Sequence, residues 1–248
     1  MTDRPILFSS PMVLALLSGR KTMTRRILKP QPPVFTPKVI DIGAPHFDED
    51  QGGWGQWETI WAAPSWDMPM GEPLREVWCP LRGLRFAAGD RLWCREAWRT
   101  DLFYNDNKPL NMRGIIHEIR YEADGAFRRQ PMRFEPGKLR PGIFLPRWAS
   151  RLTLTVTDVR AERLQDISEA DAWADGICTW DESHDKTGWR GLSTEDRQII
   201  VRSTYGTPVN AYRHLWESIN GQDSWEANPW VAAYTFEVHK RNIDEAPE

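Results

Sequence analysis

The residues most capable of chemistry lie in the segment GRKTMTRR at 19–26, which holds a lysine, three arginines and two threonines. A lysine crowded by cations or removed from water has a lowered pKa, so Lys21 could act as a general base. A threonine hydroxyl beside such a base can become a nucleophile, and Thr24 is the candidate. Alternatively, Lys21, Arg25 and Arg26 could bind phosphate without any reaction or form a solvated basic turn. The spacing alone leaves these interpretations open.

Glu96 is a further candidate, because it lies in the segment RLWCREAWR, which alternates like a strand. Its predicted face also carries Leu92, Cys94 and Trp98, so we expect its carboxylate to be partly buried. A buried carboxylate needs a partner or a raised pKa. Glu96 could therefore orient Lys21, serve as an acid or pair with an arginine, and we favour the pairing.

A second basic and aromatic group is the segment PRWASR at 146–151. Trp148 lies between Arg147 and Arg151, and tryptophan stacks on bases while arginine binds phosphate. These three residues are therefore candidates for binding nucleic acid. The alternative is that Trp148 packs in the core and its neighbours are solvated.

Composition and missing motifs exclude several classes of protein. The chain has 248 residues, 40% of them hydrophobic, and 32 basic against 35 acidic residues, which is typical of a globular protein. Its histidines are scattered and its three cysteines far apart, so we predict no metal, no cofactor and no disulfide framework. The motifs of phosphate loops, zinc proteases and esterases are missing. No apolar run is long enough to span a membrane, and we expect a reducing cytosol.

The elements that must position these residues follow from apolar periodicity and capping signals. We predict strands near 6–8, 91–99, 151–159 and 230–238, a helix from Pro11 to Gly19, and further helices at 168–176 and 208–221. Residues 180–206 are polar, which indicates a loop, and 241–248 resemble a disordered tail. Several strands with short helices between them predict an α+β fold with a mostly antiparallel sheet or barrel. We interpret the chain as one domain.

The stretch 30–80 differs from the rest of the chain. It holds nine of the 19 prolines together with several glycines and tryptophans. Such a composition disfavours long regular elements. We therefore interpret it as an irregular insertion whose tryptophans keep part of it ordered.

Several segments resemble the ASCH domain, a relative of the RNA-binding PUA barrels. Gly19, Lys21, Thr24 and Arg26 fit its G-x-K-x-x-E/T-x-R signature. The segments PILFSSPMVLALLSGRKTMTRR, GDRLWCREAWR, LPRWASRLTLTVTDVRAERLQDISEADA and HLWESINGQDSWEANPWV resemble the ASCH proteins of bacteriophages and prophages. The resemblance implies a small β-barrel with flanking helices, a protein in a bacterial host's cytosol, and an RNA or nucleoside ligand.

One branch of that family removes the acetyl group from N(4)-acetylcytidine. The resemblance to this branch implies that Lys21 is the proton acceptor, Thr24 the nucleophile and a later acid the proton donor. The family's donor is a glutamate, where this chain has Asp175, one methylene shorter. Glu96 is the reserve for that role. These residues are expected to share one cleft.

Two other functions are compatible with the sequence. The first is a non-catalytic module that binds RNA through Lys21, Arg25, Arg26 and the segment at 146–151. The second is a regulatory or interaction factor that uses an exposed apolar patch around the tryptophans at 54–66. A small pocket with a well-placed acid would indicate catalysis, whereas an open basic groove would indicate RNA binding.

Overall fold

The computed structural model describes most of the chain outside the proline-rich stretch. The described residues are 2–29, 31, 39–42, 46–48, 53–61, 73–80, 84–114, 118–125, 135–177 and 193–245. The strands are β1 (Asp3–Leu7), β2 (Met23–Ile27), β3 (Val39–Ile42), β4 (His46–Asp48), β5 (Gly53–Trp61), β6 (Pro73–Pro80), β7 (Arg91–Arg95), β8 (Trp98–Arg99), β9 (Arg120–Tyr121), β10 (Thr153–Arg163) and β11 (Trp230–His239). The helices are α1 (Ser10–Leu17), α2 (Glu169–Ala174), α3 (Thr194–Tyr205) and α4 (Pro208–Asn220).

The main sheet has five strands in the order β1–β7–β10–β11–β2. Strands β1 and β7 pair in parallel, and the other three pairs are antiparallel. Each of the four predicted blocks therefore contributes a strand to one sheet, although β8, at the end of the block 91–99, pairs with β9 in a separate two-stranded sheet. The α+β class is confirmed. The sheet is mixed, because helix α1 carries the chain from β1 across to the opposite edge.

The described strands do not close into a barrel, because β1 and β2 stand at opposite ends of the strand order. The two edges are nevertheless linked by a side chain, since a terminal nitrogen of Arg26 donates to the Leu7 carbonyl at 2.7 Å. No backbone ladder joins these two strands in the described part of the chain. The two edge strands, β1 and β2, therefore leave an open gap between them.

Two apolar clusters cover opposite faces of the sheet. Ala232 and Tyr234 on β11 belong to the cluster that α1 completes with Val13 and Leu16. Val231, whose side chain points the other way, belongs to the cluster formed by α2, α3 and α4. The capping residues account for where the latter helices begin, because the side chains of Ser168, Ser193 and Thr207 each accept a backbone N–H three residues later.

Three expectations about the less regular segments are wrong. Residues 194–205 form helix α3 with a complete capping box, although their polarity indicated a loop. The tail is ordered as far as Glu245, because Ile243 is buried and Asp244 pairs with Arg147. The stretch 30–80 contains a separate four-stranded sheet, β3 to β6, with strands of up to nine residues. The side chains of its tryptophans at 54–66 lie outside the described residues.

Candidate functional site

The turn between α1 and β2 places Lys21 inside the protein. Gly19 ends the helix with a φ of +72°, and the backbone nitrogens of Arg20 and Lys21 both donate to the Ala15 carbonyl. Strand β2 begins only at Met23. Lys21 therefore precedes the strand alternation that would otherwise point its side chain away from that of Thr24.

Lys21 is deeply buried, with 2% of its side chain exposed. Its Nζ donates to the backbone carbonyl of Asp175 at 2.6 Å and to Oδ1 of the same residue at 2.8 Å. Burial lowers the pKa of Lys21, because the ammonium form is desolvated, and the Asp175 carboxylate offsets only part of that effect. The lysine is thus biased toward its neutral, basic form.

Gly176 allows the chain to pass close to Lys21. Its φ is +78°, and a Cβ built on it would lie 2.9 Å from the Lys21 Cβ and 3.2 Å from the Ala15 Cβ. Only glycine combines that conformation with that approach. The glycine after helix α2 is therefore part of how the lysine is positioned.

Arg25 is buried within a cluster of carboxylates. Its guanidinium donates to Asp175 Oδ2 at 2.9 Å, to Asp171 Oδ2 at 2.9 Å and to Glu162 Oε1 at 2.9 Å. These bonds join β2 to β10 and to the end of α2. Since its side chain has no exposed area, Arg25 is engaged inside the protein, and we no longer expect it to contact a nucleic acid.

Tyr212 completes the environment of Asp175, and the sequence did not identify it as a site residue. Burial raises the pKa of its hydroxyl well above the ordinary value, and the charge of the Asp175 carboxylate raises that pKa further. Tyr212 lies on the apolar stripe of α4, where periodicity shows only a core position. A buried tyrosine hydroxyl requires a partner, and that requirement is the signal that could have pointed to the site.

The gap between the sheet edges is a cleft of about 670 Å³ that we call the edge cleft. Its lining includes Lys21, Thr24 and Asp175, so the structure brings together the three residues that the resemblance assigns to catalysis. Thr24 is 5% exposed. The volume lies within the usual range of small-molecule pockets, about 300–1,000 Å³.

Apolar and aromatic residues form much of the wall, and cations stand at its margin. Phe8, which follows β1, Phe86, which precedes β7, and Tyr234 on β11 contribute to the lining. Four basic residues also line it, and we call them the cation rim: Arg26, Lys29, Arg85 and Arg95. The edge cleft thus combines an apolar interior, a buried base and a positive margin.

Glu96 does not contribute its carboxylate to the edge cleft but forms an ion pair elsewhere. It is 1% exposed, and Arg151 donates to its two oxygens at 2.8 and 2.9 Å. Burial raises its pKa, and Arg151 opposes that shift. Glu96 therefore has the pairing role, and its reserve role as the acid near Lys21 has no support in the geometry.

The side chains of the segment at 146–151 also make contacts within the protein. Arg147 pairs with Asp3 and Asp244, and Arg151 pairs with Asp124 as well as with Glu96. Trp148 is half-buried against a small cluster around Trp98. The structure thus places these three candidates away from the lining of the edge cleft, in an arrangement that supports packing.

Two further observations bear on the kind of site. Across the described residues, histidine, cysteine, aspartate and glutamate side chains nowhere form a group of three suited to a metal ion. None of the helices in the described ranges has the length and apolar character that crossing a membrane requires.

Comparison with known proteins gives no neighbour. No family model matches the chain, and neither does any curated protein or solved structure. The geometry of the edge cleft is thus the basis on which function is assigned.

Proposed function

We propose that this protein is an ASCH-type enzyme that binds an N-acylated nucleoside, such as N(4)-acetylcytidine, in the edge cleft and hydrolyses its amide. One observation carries the proposal: a buried lysine with a lowered pKa shares a pocket with a threonine hydroxyl. That pairing is a base beside a nucleophile. The open five-stranded sheet and its two covering clusters are compatible with a PUA-like architecture.

Neutral Lys21 has the hydrogen-bond arrangement that a base needs. A neutral amine carries two N–H groups, and the two bonds to Asp175 use both. Its lone pair then accepts the proton of the Thr24 hydroxyl. The resulting alkoxide forms a bond to the acyl carbon and gives a tetrahedral intermediate.

The same lysine can complete the reaction. As the intermediate collapses and the carbon–nitrogen bond breaks, the Lys21 ammonium returns its proton to the departing cytosine nitrogen. Water, deprotonated in turn by Lys21, then hydrolyses the acyl-threonine ester. The products are the carboxylic acid and the nucleoside, and Lys21 and Thr24 are regenerated.

Asp175 fits the role of a positioning residue better than the donor role that the resemblance assigns. Its Oδ1 accepts from Lys21 and its Oδ2 accepts from Arg25. A proton on Asp175 would displace one of these donors. The aspartate therefore holds Lys21 in place, and the proton for the leaving group comes from Lys21.

Replacement of the proposed nucleophile tests this function. We expect Thr24→Val to abolish release of acetate from N(4)-acetylcytidine while the substrate still binds, because only the reacting hydroxyl is lost. Thr22→Val is the matched control, since Thr22 is exposed and lies outside the lining of the edge cleft. Turnover that persists in Thr24→Val, or that falls equally in both variants, would contradict the assignment.

The cation rim favours a second candidate function, which is RNA binding without catalysis. Four basic side chains around a pocket suit an anionic polymer. This candidate predicts salt-sensitive binding of short RNAs and no release of acetate. Measurements of RNA binding and of acetate release on the same protein distinguish the two functions.

A further inference from the structure

The basic residues of the cation rim differ from other basic residues of the chain in their ion pairing with carboxylates. No carboxylate in the described part of the chain lies within ion-pair distance of Arg26, Lys29, Arg85 or Arg95. Other arginines do form such pairs, among them those at 25, 91, 147, 151, 160 and 213. The rim therefore gathers positive charge that the described acidic residues leave uncompensated.

Arg95 shows that the rim is more than solvated surface charge. Its Nε is buried, and no described residue accepts its proton. A buried donor without an acceptor costs free energy, so such a group calls for a partner. Burial also lowers the pKa of this arginine. A bound anion would supply both an acceptor and a counter-charge.

Aromatic rings hold three of the rim guanidiniums in place. Arg95 lies over Trp93 at 4.4 Å, Arg26 over Phe8 at 5.4 Å and Arg85 over Phe86 at 6.0 Å, each measured to the ring centroid. Arg26 is held further by its bond to the Leu7 carbonyl. Because these groups are oriented before any ligand binds, less entropy is lost when they bind one.

The rim approaches the edge cleft from both of its sides. Arg26 lies on β2 and Lys29 shortly after it. Arg95 is the last residue of β7, the neighbour of β1, and Arg85 lies in the segment before β7. Lys21 and Arg25, by contrast, already contact the Asp175 carboxylate. An anionic group is therefore favoured at the margin and not beside Lys21.

We infer that the ligand of the edge cleft is a phosphorylated nucleoside, whose phosphate binds the cation rim while its base points toward Lys21. The inference rests on the nucleoside recognition proposed above and deepens it. Guanidinium forks match phosphate oxygens in pairs, which suits Arg26, Arg85 and Arg95. The phosphate can belong to a mononucleotide or to an RNA strand.

Calorimetry with cytidine and cytidine 5′-monophosphate tests this inference without any acyl group. We expect the monophosphate to bind at least about tenfold more tightly at low salt, because a charge-assisted contact is worth about that factor. Arg95→Gln and Arg85→Gln should each remove most of the difference between the two affinities. Arg202→Gln, at an exposed position on α3 outside the lining, is the matched control.

A short RNA in the same titrations distinguishes the source of the phosphate. Tighter binding of a five-nucleotide RNA than of the monophosphate, with a steeper salt dependence, indicates a strand. Equal binding indicates a mononucleotide. Both results support a phosphate at the rim, whereas equal affinity for cytidine and its monophosphate would overturn it.

The acetylated compounds separate this inference from the proposed hydrolase activity. A phosphate preference in binding, with no acetate released from either acetylated form, would refute the activity and leave the phosphate site standing. Release from N(4)-acetylcytidine as efficient as from its 5′-monophosphate, with unchanged efficiency in Arg95→Gln, would refute the phosphate site and leave the activity standing.

Discussion

Substitution of Gly176 by alanine perturbs the position of Lys21 without replacing any charged residue. An alanine at a φ of +78° costs about 1–2 kcal/mol, because its Cβ crowds the carbonyl. That Cβ would also lie 2.9 Å from the Lys21 Cβ and 3.3 Å from its Cγ. Overpacking of this kind adds about 1–3 kcal/mol. We therefore expect Gly176→Ala to lower the free energy of unfolding by about 2–5 kcal/mol.

Gly19 provides the matched control within the same chain. Gly19 and Gly176 each lie two positions after the last residue of a helix, and their φ values are +72° and +78°. Their backbone nitrogens donate to Leu16 and Trp173, three residues earlier in each case. A Cβ on Gly19, however, would meet nothing within 4 Å. Gly19→Ala therefore isolates the backbone cost, about 1–2 kcal/mol.

Urea unfolding of the two variants and the wild type measures the difference. The amount by which Gly176→Ala lowers the free energy of unfolding beyond Gly19→Ala is the cost of the close contacts with Lys21 and Ala15. The reasoning also predicts that Gly176→Ala lowers turnover at temperatures where it is fully folded, because Lys21 is displaced from Asp175. A free energy of unfolding equal to that of Gly19→Ala would refute the argument that this close approach positions the lysine.

The remaining predictions concern pH and the second buried carboxylate. Turnover should rise with pH through the pKa of Lys21, which burial holds below its ordinary value of 10.5, and a pH–rate profile checks this. Lys21 loses its proton at a lower pH in the folded state than in the unfolded state. The free energy of unfolding should therefore also rise with pH, up to the pKa of the lysine in the unfolded state. Arg151→Ala should cost about 3–5 kcal/mol at neutral pH, since it leaves Glu96 buried without its partner, and urea unfolding measures the loss. The loss should shrink at acid pH as Glu96 becomes protonated, and a loss that does not change with pH would contradict this explanation.

Local signals predicted the main sheet and three of the four helices. Alternation at 151–159 and the capping residue Ser168 depend on neighbours in sequence, and such patterns report directly on faces and ends. Helix α3 was missed, because its sequence is mostly polar and its capping box at Ser193 and Asp196 was not recognised. The strands of the proline-rich stretch were missed because proline is tolerated at strand ends, as at Pro73 and Pro80.

The site was only partly predictable for a different reason. The segment at 19–26 indicated which residues could react, but ion pairing depends on contacts between distant parts of the chain. Arg25 looked available in the sequence, yet its carboxylate partners lie 137 to 150 positions away. Asp175 is 154 positions from Lys21, and its nomination came from the resemblance and not from spacing. Tyr212 lies on the apolar stripe of α4, and that pattern indicates only a core position.

The order of strands has a consequence for how the protein is made. Strand β2, which carries Thr24 and Arg26, pairs with β11, and β11 is the last of the described strands. A nascent chain thus holds the nucleophile and rim residues long before their sheet neighbour is synthesised. Pairing between such distant segments is slow, since a long loop must close first. The edge cleft is therefore completed after the final strand has left the ribosome, and a chain truncated before residue 230 would be unable to form it.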